Sequence, residues 1–312
     1  MIIKTKVPIY EISWLNYING GTIGIFYEPE NKEELIEICR LLYKEKKDFD
    51  IIGHTSNIYF LPDYSVDFMV STRKVNNYHE NDDYIIADCG VSVSKLSRRM
   101  VEEGIKGFEG LIDLPGTVAA SVYGNASCYN CSINSLVETI EVLEPNGEIY
   151  NIKHDDLKLK KRSSSFKRGE LKGIILSVKM RKEHGNSEKI RQIAELNHQK
   201  RKATQPPAKD NLGSIYANSN GWSQRSFLIR TLANCYSILC LLSGKKRNQI
   251  KKLKINFILR ILGAKDLAPY VYGWNRFIWK DEKAHILFWK FHNLHMKLFK
   301  NSDFEIEIKG TK

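Results

Sequence analysis

The 23 residues from Gly107 to Tyr129, GFEGLIDLPGTVAASVYGNASCY, are the most informative part of this sequence. They are rich in glycine, alanine and serine, which fill a hydrophobic core poorly, but their composition is not that of a disordered segment. Loops longer than about 12–15 residues are usually functional or disordered. We therefore expect this stretch to bring its backbone close to a flat ligand. An ordinary long loop is the alternative.

A second short stretch, Gly53-His54-Thr55-Ser56-Asn57, lies between two apolar segments that are predicted as strands. Glycine permits a positive φ, and successive backbone N–H groups can then point the same way and bind an anion such as a pyrophosphate. A polar β-turn is the alternative that this stretch alone leaves open.

Outward from these two stretches, the hydrophobic pattern predicts alternating strands and helices. Strands are predicted at Thr22–Tyr27, Asp50–Gly53, Ile58–Leu61, Val66–Val70, Tyr84–Asp88, Thr139–Leu143, Glu148–Ile152, Gly173–Met180 and Phe304–Lys309, and helices at Lys32–Lys46, Ser92–Glu103, Asn186–Arg201 and Asp281–Phe299. We expect an α+β protein with two α/β subdomains, residues 1–75 and 76–185, followed by an α+β domain, residues 186–312.

Composition excludes several classes of protein. The 312 residues are 42% hydrophobic and 27% charged, which is typical of a globular protein and not of a disordered or fibrous one. No run of about 18 apolar residues and no secretory signal is present, so a cytoplasmic location is expected. Neither GxGxxG nor GxxxxGK[ST] occurs, which argues against a Rossmann dehydrogenase and a P-loop enzyme. Cys128 and Cys131 form a CxxC, but no further ligands follow at metal spacing, and no metal site is predicted.

The charge is divided unevenly along the chain. Residues 1–150 carry a net charge of −10 and residues 151–312 a net charge of +22. A cationic half of this kind faces either solvent or an anionic partner. Nucleic acid, a membrane surface and a phosphorylated small molecule are all compatible with the charge alone.

Three further polar segments lie in the cationic half. Lys160–Phe166 (KKRSSSF) contains Arg162, which can hold a carboxylate or phosphate through two hydrogen bonds. Gln205-Pro-Pro is followed by Asn211-Leu-Gly-Ser214, and the final predicted strand contains Glu305 and Glu307 on one face. A solvated charge run and a solvated strand edge are the alternatives for the first and last of these.

Together and in this order, the five segments resemble the UDP-N-acetylenolpyruvoylglucosamine reductase family, within the superfamily that has the vanillyl-alcohol-oxidase (PCMH) type of FAD-binding domain. Gly107–Val118 resembles the family block Gly-x-Glu-x₄-(Ile/Leu)-Pro-Gly-Thr-Val, and Gly53–Asn57 resembles its Gly-x-Gly-Ser-Asn loop. Arg162, Ser214 and Glu307 lie in the segments similar to its Tyr-Arg-x-Ser, Gly-Ser and Glu-x-Glu motifs. The resemblance extends from about residue 22 to residue 310.

The resemblance implies a non-covalent FAD between the two N-terminal subdomains and NADPH as the electron donor. The cofactor-binding residues that it implies are Gly53, His54, Thr55, Ser56, Asn57, Pro115, Gly116, Thr117, Val118, Ser121 and Asn125. His54 does not lie at the position where relatives of this fold link flavin covalently.

The resemblance also implies the reaction and its catalytic residues. Hydride from the reduced flavin would reach C3 of an enolpyruvyl ether on a UDP-sugar, in the synthesis of peptidoglycan precursors. Arg162 would stabilise the negative charge that develops as an enolate, Glu307 would polarise the substrate carboxylate, and Ser214 would protonate C2. The expected partner is a nucleotide sugar, and the expected enzyme is a monomer that binds no nucleic acid.

Departures from the family pattern leave alternatives open. Thr55 replaces the second glycine of the first loop, Lys161 replaces the tyrosine before the arginine, and Ser219–Ala268 does not align. These departures favour, as an alternative, a diverged FAD oxidoreductase of the same fold that acts on another nucleotide sugar or glycan precursor. Peripheral membrane contact through the basic amphipathic segment Phe227–Leu262 is a further alternative, as an addition to the enzyme activity.

Overall fold

In a computed structural model, the chain has helices and strands in mixed order, and residues 1–15, 21–217, 221–300 and 302–310 are described. The described strands are β1 (Ile2–Pro8), β2 (Thr22–Glu28), β3 (Phe49–Ile52), β4 (Ile58–Phe60), β5 (Val66–Ser71), β6 (Tyr78–Glu80), β7 (Tyr84–Asp88), β8 (Ser127–Cys128), β9 (Cys131–Ser132), β10 (Val137–Leu143), β11 (Ile149–Lys153), β12 (Ile174–Arg181), β13 (Val271–Gly273), β14 (Arg276–Phe277) and β15 (Glu307–Lys309). The described α-helices are α1 (Ile9–Ile12), α2 (Lys32–Lys44), α3 (Val93–Glu102), α4 (Val118–Tyr123), α5 (Ser187–Thr204), α6 (Phe227–Leu242), α7 (Arg247–Ile261) and α8 (Ala284–Leu298).

The chain divides into two compact units. The first comprises the described parts of Met1–Ile12, Gly20–Thr55 and Asp63–Gln205, and the second those of Ser13–Asn19, Ser56–Pro62 and Pro206–Lys312. The chain therefore crosses from the first unit to the second within the predicted Gly53–Asn57 loop. The division into three domains at residues 75 and 185 stays a prediction.

The first unit contains two sheets. One has the strand order β1-β2-β5-β3, with β2, β5 and β3 parallel and β1 antiparallel to β2. The other has the order β11-β10-β12-β7-β6 and is antiparallel throughout. The amphipathic helix α2 buries Leu35, Ile38 and Leu42 in a core that also includes Val70 of β5 and Leu176 of β12. One helix thus fills the space between the two sheets.

The second unit is built around aromatic side chains. β4 pairs in parallel with β15, and β13 pairs antiparallel with β14. Its core includes the fully buried rings of Tyr59, Tyr216, Phe277, Trp279 and Phe288. None of the described helices is long and apolar enough to cross a bilayer. The expected α+β class is confirmed by these two units.

The structure corrects the expectation that residues 107–129 pack poorly. Phe108, Leu111, Val118 and Val122 are all buried in the main core of the first unit. Residues 118–123 form the helix α4, which the sequence analysis had as part of a loop. The small residues of this stretch lie between buried apolar ones, so the segment contributes to the core.

Candidate active site

Gly53, in the predicted loop Gly53–Asn57, lies close to Thr117 of the predicted stretch Gly107–Tyr129. A Cβ atom added at Gly53 would lie 2.8 Å from Thr117 Oγ1 and 3.1 Å from Thr117 Cγ2. These separations are too short for a side chain, so the approach of the two segments requires glycine at residue 53. The structure therefore brings together the two stretches that the sequence analysis assigned to one cofactor.

Thr55, which replaces the second glycine of the family motif, has a left-handed backbone conformation. Its φ is +55°, in the left-handed region, which costs a residue with a Cβ about 1–2 kcal/mol. Thr55 is buried, and its Oγ1 donates a hydrogen bond to the carbonyl of Ile12 at 3.2 Å. This hydrogen bond offsets part of the strain.

Two cationic side chains lie near His54 of this loop. Burial lowers the pKa of His54, and the charges of Arg73 and Lys95 lower it further. His54 is therefore an uncharged side chain at neutral pH. Two cations beside backbone N–H groups favour an anionic ligand at this place.

The segment Pro115–Asn125 is held by backbone hydrogen bonds and one helix cap. Gly116 has a φ of +126°, which only glycine adopts without strain. Its carbonyl accepts a hydrogen bond from Val93 N at 3.1 Å, and Val118 N donates to the carbonyl of Val91 at 2.8 Å. Thr117 caps α4 by accepting a hydrogen bond from Ala120 N at 3.3 Å. Gly116, Thr117, Val118 and Ser121 are buried, while Pro115 is half-buried.

Asn125 supports the turn that carries Arg162. Lys160 and Ser163 exchange two backbone hydrogen bonds of 2.9 and 3.0 Å, and Arg162 lies in the turn between them with a φ of +56°. Asn125 Nδ2 donates to the carbonyl of Lys160 at 2.6 Å. The fully buried Ser164 donates from its Oγ to the carbonyl of Tyr123 at 2.7 Å. The structure thus places the predicted arginine next to the predicted ligand-binding stretch.

A second arginine, which the sequence analysis did not single out, lies near this turn. Arg201 Nη1 of α5 lies 3.7 Å from the Sγ of Cys128. Burial raises the pKa of the Cys128 thiol, and the charges of Arg201 and Arg162 both act in the opposite direction. Both guanidinium groups are therefore close to Cys128. No local signal distinguishes Arg201 from the other basic residues of α5.

In the second unit, Ser214 lies in a segment fixed by asparagine side chains. Gly213 has a φ of +83°, and its N–H donates to Asn211 Oδ1 at 2.8 Å. Asn275 accepts a hydrogen bond from Tyr216 N at 2.6 Å through its Oδ1 and donates to the Tyr216 carbonyl at 2.9 Å. Ser214 itself is half-buried.

Hydrogen bonds join the segment that contains Glu305 and Glu307 to Asn57 and to Ile215, two other predicted segments of the second unit. Glu307 N donates to the carbonyl of Asn57 at 2.9 Å, and Asn57 Nδ2 donates to the carbonyl of Glu305 at 3.2 Å. Glu305 N donates to the carbonyl of Ile215, next to Ser214, at 2.8 Å. The second unit therefore places the predicted serine, the predicted glutamate and the end of the first loop, Ser56 and Asn57, on adjoining backbone segments.

The sequence is similar to an FAD binding domain and to named reductases. A family model for the FAD binding domain matches residues 24–153. The UDP-N-acetylenolpyruvoylglucosamine reductase of Caldicellulosiruptor saccharolyticus is 31% identical over 205 residues, which are 65% of this chain and 65% of that protein. The enzyme of the same name from Clostridium kluyveri is 28% identical over 219 residues, 70% of this chain and 71% of that protein. The match thus spans slightly less than two thirds of the first of these relatives.

A solved structure extends the similarity in fold over nearly the whole chain. The UDP-N-acetylenolpyruvylglucosamine reductase of Thermus caldophilus superposes with a TM-score of 0.67 at 18% identity, and covers 99% of this chain and 100% of that one. At this identity the comparison bears on the fold alone. It extends over the second unit, where the sequence motifs are weakest.

Proposed function

We propose that the chain is a member of the UDP-N-acetylenolpyruvoylglucosamine reductase family, and that it is an FAD-dependent, NADPH-using reductase. Its substrate is the enolpyruvyl ether of a UDP-sugar, and its product is the lactyl ether of UDP-N-acetylmuramate, a peptidoglycan precursor. The observation that carries this proposal is the approach of Gly53 to Thr117, which brings the two FAD-type motifs together.

The residues at this approach suit FAD. A phosphate-bearing cofactor needs backbone N–H groups that point the same way and positive charge. The left-handed conformation of Thr55 supports the first, and the neighbouring Arg73 and Lys95 support the second. Within the same loop, Ser56 and Asn57 are the remaining residues that we assign to the cofactor. The flavin, when bound, would accept hydride from NADPH and donate it to the substrate.

The stretch from residue 115 to residue 125 would hold the flavin ring. Pro115, Gly116 and Thr117 offer backbone and a short hydroxyl side chain at the start of α4. Val118 and Ser121 follow on the helix itself, and Asn125 ends the stretch with a φ of +44°. Small side chains at these positions would let a planar ring approach the backbone closely.

Three side chains would act on the substrate. The guanidinium of Arg162, held in its turn by Asn125, would stabilise the negative charge that develops on the enolate. Ser214 would donate the proton to C2, and Glu307 would share a proton with the substrate carboxylate. A serine hydroxyl is a weak acid, so its role requires an enolate basic enough to take its proton.

We also propose that the enzyme is a cytoplasmic monomer, and that its partner is the nucleotide sugar and no nucleic acid. The cationic charge of residues 151–312 supports a partner with phosphate groups. The alternative of a different nucleotide sugar or glycan precursor has less support, since the relatives from Caldicellulosiruptor saccharolyticus and Clostridium kluyveri carry the name of one reductase.

Anaerobic visible spectroscopy tests the proposal. The purified protein should show a flavin spectrum that NADPH bleaches, and the enolpyruvyl UDP-sugar should restore it. In Ser214→Ala the bleaching should remain while the restoration slows by about 10²–10⁴-fold, the usual contribution of a general acid. Ser243→Ala, at an exposed position after α6, is the matched control and should behave as the wild type.

Each part of the proposal has its own contrary result. A colourless protein that added FAD neither colours nor stabilises would contradict the cofactor assignment. Bleaching by NADPH without restoration by the enolpyruvyl sugar would contradict the substrate. Full restoration in Ser214→Ala would remove only the role given to that serine.

A further inference from the structure

Helix α6 presents a broad apolar face to solvent. Its large apolar side chains are from half to four fifths exposed, with Leu228 at 73% and Leu242 at 80%. The full set consists of Phe227, Leu228, Leu232, Ile238, Leu239, Leu241 and Leu242. We refer to these seven residues as the α6 apolar face. Soluble proteins rarely leave so many neighbouring large apolar side chains uncovered without a binding role.

The opposite side of α6 is packed, so the exposed face belongs to a well-anchored helix. Ala233 is fully buried, and the ring of Tyr236 stacks on Phe257 of α7 with 4.3 Å between the ring centroids. Lys254 Nζ of α7 donates to Asn234 Oδ1 at 2.6 Å. These contacts determine which side of α6 faces solvent.

The exposed arc of α6 lacks charge at its centre. At about 100° per residue, Ile238, Leu242, Leu228, Leu239 and Leu232 follow one another around about 120° of the helix. The only other side chains within that arc are those of a threonine and a cysteine, residues 231 and 235, both exposed and uncharged. An arc of this kind is the apolar half of an interfacial helix.

Cationic residues follow the α6 apolar face in the sequence. Between Asp210 and Asp266 the sequence contains ten Lys and Arg residues and no Asp or Glu. Lys245, Lys246 and Arg247 come immediately after the end of α6 and are exposed. Lys251 and Lys252 are exposed one turn later on α7. The end of the apolar face is therefore the beginning of a cationic surface.

We propose that the α6 apolar face and the cations that follow it bind the surface of an anionic lipid bilayer. The apolar side chains enter the boundary between headgroups and acyl chains, and the cations contact the lipid phosphates. A second copy of this chain fits less well, because two such surfaces would bring like charges together. This proposal does not depend on the enzymatic function proposed above.

Vesicle co-sedimentation tests the proposal with the full chain. We expect the protein to pellet with vesicles of phosphatidylglycerol and phosphatidylcholine in equal parts, and at least tenfold less with phosphatidylcholine alone. Raising the salt from 0.1 M to 1 M should release it, because the Debye length falls from about 10 Å to about 3 Å.

Two pairs of substitutions separate the apolar and the cationic contributions. Leu228→Glu with Leu239→Glu, and independently Lys245→Glu with Lys246→Glu, should each lower the partition coefficient at least tenfold. Ile286→Glu is the control for the first pair, since Ile286 is 78% exposed on a different helix, α8. Lys172→Glu with Lys189→Glu, at two exposed positions of the first unit, is the control for the second pair. Lys245 and Lys246 are exposed residues between α6 and α7, so their substitution remains informative if the variant with Leu228→Glu and Leu239→Glu folds poorly.

A fluorescent label at Cys235 reports whether the α6 apolar face enters the bilayer. Cys235 is the exposed one among the six cysteines, and it lies within the apolar arc. A polarity-sensitive maleimide at this thiol should shift its emission to the blue with anionic vesicles, and brominated acyl chains should quench it. Equal pelleting of all variants, an unshifted label, or a dimer that Leu228→Glu dissociates would overturn the proposal, the last in favour of a second copy.

Discussion

Replacing Gly53 by alanine tests whether the approach of this loop to Thr117 holds the cofactor site together. The new Cβ would lie 2.8 Å from Thr117 Oγ1 and 3.1 Å from its Cγ2, so the threonine must move. That movement costs the cap of α4, about 1 kcal/mol, and the overpacking adds about 1–3 kcal/mol. Alanine restricts the unfolded chain and returns about 0.4–1 kcal/mol. The expected loss in the free energy of unfolding is therefore about 1–3.6 kcal/mol.

A double-mutant cycle isolates the contact with Thr117. Thr117→Ala alone should cost about 1 kcal/mol, the value of a cap. In that background the Cβ added at residue 53 meets only the Cβ of residue 117, at 3.6 Å, which is an ordinary van der Waals contact, so Gly53→Ala should cost nothing or stabilise slightly. The two substitutions should therefore be non-additive by about 2 kcal/mol, as expected for residues in direct contact.

Urea unfolding and titration with FAD provide the two measurements. If the cofactor uses this loop, the free energy lost in the single variant should appear in FAD affinity as well, about tenfold for each 1.4 kcal/mol. Gly273→Ala is the control, because nothing lies within 4 Å of the added Cβ and its φ is not positive. Additive effects in the cycle, or a Gly53→Ala variant that resembles Gly273→Ala, would refute the reasoning.

Three further predictions concern single side chains. Asn125→Ala removes the hydrogen bond to the Lys160 carbonyl. The free energy of unfolding in urea should fall by about 1–3 kcal/mol. Because the turn of Arg162 is loosened, kcat/KM should fall about tenfold. Burial, together with His292, lowers the pKa of His295 to about 4, so the wild type should lose about 3 kcal/mol as the pH falls from about 6.5 to about 4. His295→Phe should remove that loss. Parallel curves of unfolding free energy against pH for the two proteins would contradict this expectation. Thr55→Gly relieves the strain at φ +55° but loses a hydrogen bond, so the urea midpoint should change by less than the equivalent of about 1 kcal/mol.

Most regular elements were predictable because their patterns are local. The helix predicted at Lys32–Lys46 is α2, Lys32–Lys44, and the strand predicted at Gly173–Met180 is β12, Ile174–Arg181. The helix α4 was not predicted, because its six residues are too few to show a helical period. The sequence signal for this helix was Thr117, a cap-forming residue, followed by Val118, Ala119 and Ala120.

The candidate site was predictable as a set of segments and not as an arrangement. Motif similarity placed Arg162 and Ser214 at sites to which the family gives a role, and those roles stay predictions. The supports of these residues, Ser164 for the first and Asn275 for the second, depend on contacts between distant parts of the chain. Arg201 lies among other basic residues of an amphipathic helix, so only its position beside Cys128 distinguishes it.

The pairing of β4 with β15 has a consequence for synthesis on the ribosome. Ile58, Tyr59 and Phe60 are buried in the folded protein, and the strand that pairs with them leaves the ribosome about 250 residues later. At 5–20 residues per second the delay is roughly 12–50 s. During that time an apolar strand with an unpaired edge is available to other nascent chains, so a chaperone that holds this segment should raise the yield of soluble protein.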